Sequence, residues 1–265
     1  MVVQSVKSIF KYRQFIIGSI YRNFQLKHRD ALLGWAWRLL SPFLMILIYM
    51  TVFSQIMPVK FGAADEPFSY GVFLCVGVIT WGFFIQTVEQ LLVTFIQNAE
   101  LIKKTGLPRI CLPVVAVATA AIDFAIMFAI FFIVAAALGS IGPSFLLMAA
   151  PALVVLAALA MGLGLLLGVA NVFFRDVEQV FRIGAQFWFW LTPVVYPIAI
   201  LPDGVQDVIG WNPLTPLMLS LQAAANSVEG PEWGALAYPA GMALLMLFLG
   251  ARLFRRCADD MADEL

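Results

Sequence analysis

Two kinds of residue that do chemistry stand side by side between 171 and 197. A charged group, Arg175, Asp176, Glu178 and Arg182, is followed by the aromatic run Phe187, Trp188, Phe189 and Trp190, with Tyr196 beyond it. Glu178 precedes Arg182 by four residues, the favourable order for a pair along a helix, yet an exposed pair of this kind contributes only about a few tenths of a kcal/mol. A hinge or docking surface gives the cluster a use; a solvated turn that adds positive charge to one side of a membrane is the other reading. Aromatic rings offer flat faces on which the C–H faces of sugars stack, and lipid contact or an interfacial belt is their alternative role. Four consecutive aromatics point all round a helix, so at most about two of them face a common path.

Catalytic sets are missing. No G-x-x-x-x-G-K-[ST] phosphate loop occurs, and the glycine-rich "GLGLLLG" at 162–168 has no strand before it, which makes it helix-packing glycine. His28 is the single histidine, and Cys75, Cys111 and Cys257 have neither metal nor redox spacing, so no metal site is expected. No Ser/His/Asp or Cys/His set is available for nucleophilic catalysis. Two carboxylates fall inside apolar stretches, Asp123 and Glu89. An Asp at the centre of a membrane helix costs about 2.5 to 3.5 kcal/mol, so Asp123 calls for a polar interior or a partner side chain. A proton-driven carrier would use such groups, but no inverted repeat and no second centre-placed charge accompany them.

The elements that must position these residues follow from composition. With 265 residues, 62% of them hydrophobic and 12% charged, the chain belongs in a bilayer; its mean hydropathy is +0.93. The net charge is zero and gives no indication of a nucleic-acid partner; none is expected. Charge-free runs at 39–57, 68–88, 183–202 and 233–251 are each long enough to cross about 30 Å of hydrocarbon. The stretch 110–174 holds two more spans, separated by the breaker "GSIGPS" at 139–144. The expectation is therefore an all-α integral membrane fold with six transmembrane helices. In that topology every Lys and Arg except Lys60 falls on one face, which the positive-inside rule makes cytoplasmic, with both termini there. No cleavable signal peptide is expected, because Lys7, Lys11 and Arg13 interrupt the first apolar stretch.

Three further segments have patterns of their own. Polar residues recur at helical spacing from Gln4 to Arg29, with Phe10, Ile17 and Phe24 on other faces, as in a helix lying on the cytoplasmic membrane surface or packed on a soluble partner. The segment 98–105 reads as one short helix: Asn98 caps it, Glu100 suits its first turn, Lys103 and Lys104 its last, and Gly106 and Pro108 end it. Two turns are too short to stand alone in water, so the helix packs on a cytoplasmic partner or on its own subunit. The run 208–228 includes Asn212, Pro213, Pro216, Gln222 and Asn226, unsuited to lipid exposure, and reads as a re-entrant or interfacial hairpin before the last helix.

Together these stretches resemble the membrane subunits of ABC transporters that export polysaccharides, the O-antigen, capsule and teichoic-acid permeases. The match lies in "LKHRDALLGWAWRLLSPF" at 26–43, "NAELIKKTGLPRICLP" at 98–113, "FRDVEQVFRIGAQFWFWLTPVVYPIAILP" at 174–202 and "WNPLTPL" at 211–217. Leu33, Gly34, Trp37 and Pro42 supply the core of the first stretch, Arg175 to Val177 the turn, and Pro193 to Pro197 the end of the third; His28 and Leu107 depart from the usual residues. The resemblance implies one permease domain over 1–265: an interface helix and entrance at 1–37, a six-helix core at 38–255 and a tail at 256–265. It implies a homodimer in the bacterial inner membrane bound to two copies of a cytoplasmic ATP-binding subunit, which would hold ATP and Mg. The cargo would be an undecaprenyl-linked polysaccharide. Residues coupling to the ATPase would be Asn98, Glu100, Lys103, Lys104, Arg109, Arg175 and Asp176. A substrate channel would use Trp35, Trp37, Phe187, Trp188, Trp190 and Tyr196, and an extracytoplasmic gate Trp211, Asn212, Pro213 and Pro216. An ABC permease for drugs or lipids, or a membrane-embedded glycosyl- or acyltransferase, are the competing functions.

Overall fold

The computed structural model describes residues 10–26, 36–53, 68–104, 108–226, 232–258 and 260–264, and among them there is no β-strand. The helices are α1 (Arg13–Leu26), α2 (Ala36–Ile48, continued by a π-turn at Tyr49–Phe53), α3 (Ser69–Gln97), α4 (Ala99–Lys104), α5 (Cys111–Ala137) and α6 (Ser144–Phe173). They continue with α7 (Val177–Trp190), α8 (Asp203–Gly210), α9 (Leu214–Asn226), α10 (Ala237–Cys257) and α11 (Met261–Glu264). Four helical stretches are long and apolar enough to cross a membrane: Ser69–Gln97, Cys111–Ala137, Ser144–Phe173 and Trp233–Cys257; Leu39–Val52 is a shorter apolar helix.

Burial ranks these helices. In the most apolar window of α3, 78% of residues are buried inside the chain, against 17% in α5. Thus α3 is the central post and α5 a peripheral one. With 29 residues α3 is about 43 Å long, so it reaches beyond the hydrocarbon at one end and carries Glu89 along the way. Close approach of α6 to its neighbours depends on the predicted packing glycines. A methyl on Gly164 would meet Leu91 Cδ1 at 2.8 Å, and one on Gly168 would meet Leu91 O at 2.5 Å, both on α3. A methyl on Gly162 would meet Met246 C of α10 at 2.5 Å. Small residues at four-residue spacing thus let three helix backbones come together.

The breaker at 139–144 ends α5 as the sequence indicates. Gly139 takes φ +74°, its N–H donates to Ala136 O at 3.0 Å, and Ser140 N–H donates to Ala135 O at 3.0 Å. This is a Schellman closure, which satisfies the last carbonyls of α5 before Pro143 starts α6. The expected span 183–202 takes a different form. Its helix is already under way at Val177 and stops at Trp190, and a short 3₁₀ turn at Ile198–Ile200 follows. Pro193 and Pro197 lack the N–H groups a continuous helix needs, so the chain turns within this segment. The run 208–228 is not a single element: the end of α8 and all of α9 form a helical pair joined at Trp211–Pro213. Leu214, Leu217, Met218 and Leu221 of α9 are fully buried, so this helix packs on α3 and α6 and is not lipid-facing.

At one end of the bundle several elements meet. Phe95 of α3, Val172 of α6, Phe254 of α10 and Met261 of α11 form one apolar cluster, onto which Ile102 of α4 packs. Helix α1 docks on α5 through Ile16 against Cys111 and Val115, while Ile17 and Tyr21 remain exposed on its outer side. The polar positions expected at 4–9 and 27–29 lie outside the described residues.

Candidate functional site

The site is built on how α7 is held at its two ends. Asn171, fully buried near the end of α6, donates from Nδ2 to Leu92 O of α3 at 3.1 Å and accepts Glu178 N–H at 3.2 Å. One side chain thus ties α6 to α3 and satisfies an open N–H of the first turn of α7. At the far end, Asn212 Oδ1 accepts from Trp188 Nε1 at 3.0 Å and from Leu214 N–H at 3.1 Å, while its Nδ2 donates to Thr192 Oγ1 at 2.8 Å.

Non-helical backbone packed among helices needs partners, and here side chains provide them. Gln222 Nε2 donates to Pro193 O at 3.1 Å and to Val194 O at 3.3 Å. Tyr70 Oη donates to Val195 O at 2.9 Å, and Tyr196 Oη to Trp190 O at 2.7 Å. The break is therefore held by side chains that satisfy the carbonyls of Trp190, Pro193, Val194 and Val195.

Between these anchors α7 lies along α3, and two cavities open beside them. One, of about 560 Å³, takes Ser19, Arg22 and Asn23 from α1, Glu89, Gln90 and Gln97 from α3, and Arg182 from α7. The other, of about 600 Å³, is bordered by Trp81, Ile85, Gln186, Phe189 and Trp190. Glu89 and Arg182 belong to both linings. On α3, Trp81, Ile85 and Glu89 succeed one another at four-residue spacing, so a single helix face passes from aromatic to acidic. Arg182 Nη2 lies 2.8 Å from Glu178 Oε1, with both side chains partly exposed. This pair contributes about 0.3 to 0.5 kcal/mol, too little to hold the arginine permanently. Beside the groove Gln86 Nε2 donates to Asp123 Oδ2 at 2.8 Å, which supplies the partner a mid-helix carboxylate requires.

Guanidinium, carboxylate and amide groups facing aromatic rings suit a ligand rich in hydroxyls with flat apolar faces. The ABC-2 type transporter family model matches residues 14–225, which cover α1 to α9 and every wall of the groove. The chain belongs to the ABC-2 type transporter family. It is 24% identical over 267 residues to the O-antigen export system permease protein RfbA of Myxococcus xanthus, with 100% of both chains covered. It is 25% identical over 246 residues to the protein of the same name from Klebsiella pneumoniae, covering 92% of each. To the polysialic acid transport protein KpsM of Escherichia coli it is 22% identical over 260 residues, covering 96% of this chain and 98% of that one. This ABC-2 chain is a multi-pass membrane protein, as its long apolar helices also indicate.

Of the aromatic residues expected to line a channel, those described do not all border one cavity. Trp190 borders the larger cavity. Trp188 turns into the core instead, with ring centroids 5.4 Å from Phe84 and 6.5 Å from Trp81, so it is a structural post. Phe187 is 67% exposed and lines neither cavity, and Tyr196 closes the carbonyl of Trp190. Trp35 and the side chain of Trp37 lie outside the described residues. Trp81 and Phe189, which are not among the expected channel residues, form the wall with Trp190. Their rings meet edge to face at 5.5 Å.

The predicted coupling residues gather at the end of the bundle where α4 sits. Glu100 and Lys103 are exposed, as are Arg175 and Asp176 in the turn before α7, while Arg109 is partly buried; the side chain of Lys104 and all of Gly106 lie outside the described residues. Asn98 corrects the expectation of a forward cap: its Nδ2 donates back to Thr94 O at 2.8 Å, closing α3. The first turn of α4 takes its bond from the Asn98 backbone carbonyl, which accepts Ile102 N–H at 3.1 Å. Of the predicted gate residues, Asn212 is the node described above, Trp211 is 78% exposed with its carbonyl bonded by Tyr238 Oη at 2.7 Å, and Pro213 and Pro216 flank the start of α9.

Proposed function

We propose that this chain is the membrane-spanning subunit of an ATP-driven exporter that carries a lipid-linked polysaccharide, with O-antigen as the favoured cargo, across a bacterial inner membrane. The observation that carries this reading is a pair of neighbouring cavities that share Glu89 and Arg182: a polar chamber bounded by α1, α3 and α5 lies next to an aromatic wall at Trp81, Phe189 and Trp190. Rings along such a wall hold sugars by stacking, a weak contact that a sliding polymer makes and releases repeatedly. The full-length similarity to O-antigen export permeases supports the same cargo.

Two copies of the chain form the transporter, each seated on a separate ATP-binding subunit that binds ATP and Mg, since the chain has no phosphate loop of its own. Helix α4 and the turn at 174–176 face that subunit. Both termini lie on its side of the membrane, where α1, α4 and the basic end of α10 (Arg255, Arg256) also lie. The extracytoplasmic gate is the α8–α9 pair. Deletion of the gene, with the neighbouring ATPase gene kept, tests the proposal: surface glycan disappears and its lipid-linked precursor accumulates inside. Normal surface glycan together with retention of a drug or another lipid would reject it.

A further inference from the structure

Glu89 and Arg182 hold a position that the export reading alone does not explain. They are the residues common to both cavity linings, one on α3 and the other on α7. Arg182 rests on Glu178, one turn back on its own helix. That contact is open to water, with the two side chains 54% and 36% exposed, and screening keeps it weak. Glu178 lies in the first turn of α7, where the helix dipole favours a carboxylate whether or not an arginine is attached. Glu89 is in the opposite situation. It lies about two turns before the end of α3, partly buried, with no side-chain hydrogen-bond or ion-pair partner among the described residues. A half-buried carboxylate one turn beyond Ile85, on the lining of both cavities, gains more from a guanidinium than a fully solvated one does.

Resting on the reading of this groove as the transport path, we propose that Arg182 is a latch that exchanges between Glu178 and Glu89, and that its pairing with Glu89 closes the joint between the two cavities. Arg182 rests on Glu178 in this structure, and that is the open state of the latch. When it swings across the groove, a guanidinium–carboxylate pair bars the joint. A polyhydroxylated chain reopens it, because its hydroxyl groups accept from the guanidinium and donate to the carboxylate in place of the pair. Glu89 and Arg182 thereby touch the cargo and also seal the path between loads.

The order of variants is what tests the latch. Removing the charge of Glu178 pushes Arg182 towards Glu89, and removing the charge of Glu89 as well leaves the arginine with neither partner. The reporter is Gln186→Cys in the aromatic chamber, in a chain carrying Cys257→Ser so that only the buried Cys75 and Cys111 remain. Labelling by a water-soluble maleimide is timed on the full chain, purified in detergent with its ATP-binding partner. Glu178→Gln slows labelling about fivefold or more, and Glu178→Gln with Glu89→Gln restores it to within about twofold of the parent, as expected for a two-state element whose populations are shifted. Equal labelling in the parent and Glu178→Gln overturns the latch, as does a slowed Glu178→Gln that Glu89→Gln fails to restore. Both changes preserve side-chain size, and unaltered elution as a complex confirms folding. Surface glycan, measured in cells, falls in Glu178→Gln. Labelling that obeys the order in a strain whose glycan does not depend on the gene keeps the latch and rejects the export reading, so the two fail separately.

Discussion

Gly77 offers the sharpest test of how the broken helix is held. It lies on α3 beside the segment Pro193–Val195, and a methyl group there would fall on Val194 O, 3.0 Å from Gln222 Nε2 and 3.1 Å from Val194 C. The closest obstructing atom is the backbone oxygen of Val194, so no side-chain rotation relieves that overlap. The segment must retreat from α3, and Pro193 and Pro197 limit how it does so. Retreat strains the bonds from Gln222 to Pro193 O and Val194 O and from Tyr70 to Val195 O. Overpacking of this kind costs about 1 to 3 kcal/mol, and each strained bond adds about 0.5 to 1.5 kcal/mol. Against these stands the gain from replacing a helical glycine, about 0.5 to 1 kcal/mol. Gly82, on the same helix, separates the terms, because nothing lies within 4 Å of a methyl placed there. The glycine term is common to both variants, so Gly77→Ala is expected to be less stable than Gly82→Ala by about 2.5 to 7.5 kcal/mol. The assay is the thermal unfolding midpoint of both variants, purified with the ATP-binding partner, with surface glycan scored alongside. Export falls in Gly77→Ala because Tyr196, in the same segment, holds the carbonyl of Trp190. Should Gly77→Ala melt at or above Gly82→Ala, the account of this segment as a tightly fitted, side-chain-bonded break is wrong.

Asn171→Ala leaves Leu92 O and Glu178 N–H without their buried partner and lowers stability by about 1 to 3 kcal/mol, read from the same melting curves. Asn212→Ala deprives Trp188 Nε1 and Leu214 N–H of their acceptor; surface glycan falls, and proteolysis at the α8–α9 turn quickens. Lys103→Glu, at an exposed position on α4, leaves the melting midpoint unchanged but reduces both surface glycan and co-purification of the ATP-binding subunit. Retention of that subunit at parental levels would remove α4 from the coupling surface.

The features that were legible in the sequence share a physical character: they depend on local chemistry or on composition. The closure at Gly139 needs one residue tolerant of positive φ and a proline shortly after it, both readable in "GSIGPS". The glycines at 162, 164 and 168 could be assigned to packing because no strand preceded them. Residues whose roles were misread have partners fixed by the fold. Asn98 has the side chain of a good cap, but it follows α3 directly, and the Thr94 carbonyl one turn back is already in reach. Trp188 and Phe189 are adjacent in sequence and equally aromatic; only the angle at which α7 meets α3 sends one against Phe84 and leaves the other bordering the groove. For Asn171 a signal was present: a lone amide in a long apolar helix must find partners or suffer desolvation. The groove had no such signal, because Glu89 and Arg182 lie on different helices and each has an ordinary local explanation, a carboxylate near a helix end and half of a four-residue pair. Only when α3 and α7 are brought alongside each other, by the Asn171 tie at one end and the Asn212 node at the other, do the two charges come to share a chamber wall. The function of the pair therefore belongs to the helix packing, and changes to either anchor should disturb the joint between the cavities before they unfold the bundle.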